Sequence, residues 1–109
     1  MQIPTQFSKQ LQEEAISLGQ LSIPGYAWSI QGTRKVLEWI NQSTETVVLG
    51  GDLYLLKGDK ITPMRENWYY EPKGEAEDHA ESIERALAAL DAYEKYKEHE
   101  SIIVDLVVR

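Results

Sequence analysis

The sequence predicts an α+β fold in which a small, mostly antiparallel sheet, formed by a hairpin plus a C-terminal strand, packs with about three helices in the order ααββαβ. Three observations lead there. Apolar residues recur at helical spacing in two stretches before residue 45 and in a third after residue 78. Between them the period changes at TVVLGGDLYLL, residues 46 to 56, which is rich in β-branched, leucine and aromatic side chains. The sequence then closes on SIIVDLVV, a β-branched run interrupted only by Asp105. At 109 residues there is room for a single domain, 1–109, and not for two of ordinary size.

A first helix is expected over residues 5 to 18, where Phe7, Leu11, Ala15 and Leu18 line one face and Gly19 supplies a stop. Ser22-Ile23-Pro24-Gly25 reads as a loop. A second helix is expected over residues 29 to 42, with Ile30, Leu37 and Ile40 on one face, Val36 beside them, and Trp28 and Trp39 assigned to the core. The hairpin spans residues 46 to 64 and turns at Lys57-Gly58-Asp59-Lys60. Gly50-Gly51 marks a bulge or tight bend that aims Asp52, and Pro63 belongs on an edge or at a strand end. Residues 65 to 77 show no period, and Pro72 and Gly74 mark them as loop. A third helix, residues 78 to 98, opens with Asp78 and Glu81 at capping-box spacing and repeats Ile83, Ala86, Leu87, Leu90 and Tyr93. The C-terminal run is expected as a central or inner strand.

The net charge is −7, and its position narrows the classes of partner. Residues 66 to 84 hold seven acids and one base, Lys73, which accounts for six of the seven excess charges. Binding to phosphates needs the opposite sign, because Lys and Arg drive it by releasing counterions. Neither nucleic acid nor an anionic membrane is expected as a partner, whereas a basic protein surface is. No cysteine is present, which removes disulfides, thiolate zinc sites and cysteine nucleophiles. The first residues lack the basic start and apolar run of a secretory signal, and no apolar stretch approaches the roughly 20 residues that span a bilayer, so a cytoplasmic location is expected.

Asp52, Asp59, Glu66, Glu71, Asp78, His79 and Glu81 could supply an acid and a base, but no spacing among them demands a shared cleft, and no catalytic residue is assigned. His79 and His99 fit helix ends better than a zinc site, and Leu49-Gly50-Gly51-Asp52 lacks the Lys-Ser/Thr ending of a phosphate loop, so no metal or cofactor is assigned. The stretch Asn67-Trp68-Tyr69-Tyr70 is more informative. In an extended chain Trp68 and Tyr70 share one side and Tyr69 takes the other, so at least one aromatic reaches solvent; Trp68 stays open between an interface anchor and a core plug. Acids near a helix start complement its dipole, which explains two or three of the seven and leaves the others unexplained.

LGGD at 49 to 52, Pro63, NWYY at 67 to 70, Gly74-Glu75, Ser82 and an Ala-rich helix with Ala86 and Tyr93 together resemble the immunity protein 40 family of bacterial polymorphic toxin systems, over roughly residues 25 to 97. Ahead of the Asn-Trp pair this chain departs from the family's pattern, with Met64, Arg65 and Glu66 where a Thr, an aromatic and an Asp stand. The resemblance implies a non-catalytic protein, encoded beside a toxin, that protects its own cell by binding the cognate toxin domain. Nucleases are among the toxins whose basic clefts an acidic patch would fill. The expected contact surface is Asp52, Glu66, Trp68, Tyr70, Glu71, Glu75, Glu77 and Asp78, blocking the toxin sterically and electrostatically. Two other readings stay open: a small cytoplasmic hydrolase or transferase using the Asp52 and His79 region, and a regulatory protein-binding module without a toxin partner.

Overall fold

Helices form where apolar spacing coincides with a usable end. In the computed structural model, which describes residues 1–109, helix α2 (Ile30–Ser43) starts at Ser29, whose hydroxyl accepts from the Gly32 amide at 3.0 Å. It turns Ile30, Val36, Leu37 and Ile40 inward. Helix α3 (Asp78–Tyr93) buries Ile83, Ala86, Ala89, Leu90 and Tyr93. It stops short of the expected residue 98, because EKYKEHE, residues 94 to 100, offers the core only Tyr96, and the chain there turns to enter the last strand. Tyr96 closes the corner by packing edge-on to Tyr93, 5.8 Å between ring centroids.

The first helix differs most from expectation. Helix α1 covers only Lys9–Glu14, since Ala15 is already extended and strand β1 (Ile16–Ser17) pairs with strand β2 (Tyr26–Ser29). Phe7 and Leu11 therefore enter the main core, while Leu18 enters a separate one on the far face of the sheet. The seven-residue separation of Leu11 and Leu18 is compatible with a helix and equally with a chain that leaves it. Trp28 lies in β2 and is fully buried, its indole nitrogen donating to the Leu11 carbonyl at 2.9 Å. Trp39 is only half-buried, edge-on against Phe7.

Strands β3 (Val48–Lys57) and β4 (Lys60–Tyr69) form the hairpin, with Gly58 at φ 60° in its turn. Strand β5 (Ile102–Val108) completes a five-stranded sheet of order β1-β2-β5-β3-β4, and every pairing is antiparallel. The fold class is thus the expected α+β arrangement, with β5 in the middle and Pro63 on the edge strand. The hairpin itself is longer than expected: residues 65–69 are strand and not loop. Asp52 pairs with Asn67 but Tyr54 with Pro63, so Leu53 alone faces Met64-Arg65-Glu66. That bulge interrupts the alternation by which a strand is read from sequence.

Each face of the sheet has its own core. On the helix side, Leu53, Trp68, Val104 and Leu106 meet Leu37, Ile40 and Leu90, each fully buried aliphatic side chain contributing about 1.5–3 kcal/mol. On the other side, Ala27, Tyr54, Ile61 and Ile103 are covered by Leu18, with Leu21 and Ile23 against them. This second cover is a short connecting segment. It leaves the far end of that face open, where Tyr69 and Val107 are exposed.

Candidate functional site

The segment from Asn67 to Glu81 is built outward from Trp68. Alternation along β4 sends the Trp68 indole to the helix side, where it is 5 % exposed and lies 6.2 Å from the Tyr93 ring. The ring occupies the space above Gly51: a Cβ added there would come within 2.4 Å of Trp68 Cζ3 and Cη2. At Gly50 an added Cβ would sit 2.2 Å from the Trp68 carbonyl oxygen. The register places Gly50 opposite Tyr69, Gly51 opposite Trp68 and Asp52 opposite Asn67. The two short motifs are thus halves of one packing unit, with glycine where the other half needs room.

After Tyr69 the chain turns back in. The Tyr70 hydroxyl lies 2.9 Å from Asp78 Oδ1 and 3.1 Å from Glu81 Oε2, so two carboxylates compete for its proton. Burial first, then these two acids, push its ionisation well above the usual range. Asp78 also accepts from the amides of Lys73 at 3.0 Å, Gly74 at 2.8 Å and Glu75 at 3.1 Å. The Lys73 amide foremost, helped by the Tyr70 hydroxyl and the other two amides, holds the Asp78 carboxyl below its ordinary range against the effect of burial. Glu81 is lowered chiefly by the Lys73 ammonium, 3.0 Å away, and Lys73 is raised in return. The capping-box reading is corrected accordingly. The residue at the helix cap is Glu77, which makes no side-chain cap bond, while Asp78 and Glu81 grip the loop before the helix. Ser82 Oγ accepts from the Val48 amide at 2.9 Å, and His79 Nδ1 donates to the Thr46 carbonyl at 2.6 Å, tying the start of α3 to the start of β3.

Of the expected contact residues, Trp68, Tyr70 and Asp78 are 5 %, 9 % and 4 % exposed, which corrects their place on an outer surface. Strand alternation turns the two aromatics inward, and the loop amides hold Asp78. Asp52, Glu66, Glu71, Glu75 and Glu77 are exposed, and none is ion-paired with a Lys or Arg. They do not form one patch. Asp52 follows Gly51 and so faces away from the helices, Glu66 lies on the helix side, where burial first and then its charge raise the ionisation of Tyr96, and Glu71, Glu75 and Glu77 stand on the loop. Tyr69 is not among the expected residues, yet at 62 % exposure it is the one aromatic of Trp68-Tyr69-Tyr70 that faces solvent. Alternation did put it opposite Trp68; which side faced inward depends on Gly51 across the strand pair.

The pairing of Asp52 with His79 that a hydrolase would need is not assembled, because Asp52 is on the open face of the sheet and His79 is on the helix that covers the other. A groove of about 600 Å³ between the N-terminal segment, α2 and β5 includes neither of them. No three His, Asp or Glu side chains converge to hold a metal ion, and no helix is long and apolar enough to cross a membrane.

No curated protein and no solved structure matches the chain. The model of the family described as Immunity protein 40 matches residues 17–108, a span that holds the interlocked Gly50-Gly51 and Trp68, the Tyr70–Asp78 clasp and all of β5. On that match, this chain belongs to the immunity protein 40 family.

Proposed function

We propose that the chain is the immunity partner of a bacterial toxin, acting in the cytoplasm by binding a toxin domain and blocking it sterically and electrostatically. Family membership supports the coarse reading. One observation carries the finer one: the loop 71–77 presents Glu71, Glu75 and Glu77 to solvent while its only cation, Lys73, is held by Glu81. The amide bonds to Asp78 order that loop before any partner arrives, so little freedom is lost on binding. A fixed acidic surface suits a toxin with a basic cleft, such as a nuclease, and accelerates encounter with it.

The test uses the toxin domain encoded by the adjacent gene. Co-expression of the wild-type chain should restore growth, and the purified proteins should form a complex. Reversing Glu71, Glu75 and Glu77 together to Lys should slow association at least about tenfold, with the melting temperature almost unchanged. Growth that the wild-type chain does not restore, with no complex in vitro, would overturn the proposal.

A further inference from the structure

We infer that the open face of the sheet carries a slot for an arginine side chain of the bound toxin domain, walled by Tyr69 and Val107, floored by Gly50 and closed by the Asp52 carboxylate. This deepens the reading above and rests on it. Tyr69 and Val107, at 62 % and 41 %, are the two most exposed large apolar residues of the chain. They are separated along the sequence yet stand in one row of the sheet, because Gly50 pairs with Tyr69 on one side and with Val107 on the other. Strands about 4.8 Å apart set these two walls on the order of 10 Å apart, room for one flat group between them. The floor cannot fill in, since a Cβ on Gly50 would lie 2.2 Å from the Trp68 carbonyl oxygen.

The next row on the same face is Asn67, Asp52 and Asp105. Asp105 is buried and bonded to the Met1 amino group, whereas Asp52 is exposed and has no ion-pair partner. The slot thus has an aromatic wall and, one row away, a free carboxylate flanked by an amide. A guanidinium is planar, stacks on an aromatic face and forks onto a carboxylate, which a lysine ammonium cannot do. An acidic group would be repelled by Asp52 and by the loop of glutamates beyond Tyr69. Arg65, on the same edge strand two residues before Asn67, is exposed and makes no ion pair with Asp52.

The experiment measures binding of the adjacent-gene toxin domain to the full chain. Tyr69→Ala and Asp52→Asn should each weaken the complex on the order of tenfold, mainly through faster dissociation, with unchanged melting temperatures. Tyr69→Phe should bind as the wild type does. Replacing one particular toxin arginine with Ala should abolish the effect of both variants in double-mutant cycles, and Lys at that position should not restore it. If wild type binds and loop charge reversal weakens it, but Tyr69→Ala and Asp52→Asn bind equally well or couple to no arginine, the slot is wrong and the immunity reading stands. Self-association lost on Tyr69→Ala would assign the slot to a second copy and also overturn the inference. Absence of wild-type binding removes both readings together.

Discussion

Trp68 and Gly51 form a contact that neither residue explains alone. The indole fills the helix-side core directly over a position that has no room for a methyl group. Truncating Trp68 to Ala should therefore cost about 3–5 kcal/mol and lower the melting temperature by many degrees, the result expected of a core plug. Trp68→Phe should cost much less, because the Trp68 indole N–H is buried without a hydrogen-bond partner and its loss removes an unmet group. Gly51→Ala should cost about 1–3 kcal/mol by overpacking, and adding Trp68→Phe should recover part of that loss by clearing the ring carbons the new methyl would strike. Thermal melts of the three single variants and the double one check this; additive losses would mean the contact is not the cause. The same pair marks a limit of what was legible. Alternation separated Tyr69 from Trp68 and Tyr70 on sequence alone, but the choice of which side faced solvent lies in the register with Gly51, a non-local fact.

At the scale of elements, α2 and α3 are legible because each repeats its apolar period over several turns; α2 adds a local start signal at Ser29 and the β3–β4 turn adds Gly58, whereas neither end of α3 carries a side-chain cap. β1 and β2 are not legible, since two and four residues are too few to display a period. β4 was truncated by its own bulge. The spacing of Asp78 and Glu81 predicts helix capping, a local pattern, whereas the loop amides and Tyr70 that they bind come from an arrangement of the chain. Their true task predicts a pH dependence. Both carboxyls are lowered in the folded protein, so their stabilisation is fully present above the ordinary carboxylate range near 4 and is lost as pH falls through the depressed folded values. Their contribution to the melting temperature should stay level from neutral pH to about 5 and then fall, opposed by Asp105, whose carboxyl is raised by burial and which therefore favours the folded chain as pH drops. Asp78→Asn should lower the melting temperature at neutral pH, flatten the acid slope and speed hydrogen exchange at the Lys73, Gly74 and Glu75 amides. Unchanged exchange there would show that Asp78 does not hold the loop.

Across the whole molecule, charge and shape act at different ranges, and kinetics can separate them. The net charge of −7 is concentrated between residues 66 and 84, and part of it is consumed internally by Tyr70, Lys73 and the loop amides. What remains outward is Glu71, Glu75 and Glu77 on the loop, with Glu66 and Asp52 on opposite sides of the sheet edge. Such a field acts on a basic partner before contact, over a screening length of about 10 Å at 0.1 M salt that shrinks to about 3 Å at 1 M. The association rate with the toxin domain should therefore drop by one to two orders of magnitude, roughly, over that range of salt. Dissociation should change far less, because it breaks short-range contacts that the solvent ions do not enter. Reversing the loop glutamates should remove most of the salt dependence of association, whereas Tyr69→Ala should leave that dependence intact and raise only the dissociation rate. Stopped-flow measurements at several salt concentrations resolve both arms. An association rate that ignores salt would mean that the acidic loop does not face the partner, whatever the slot beside it binds.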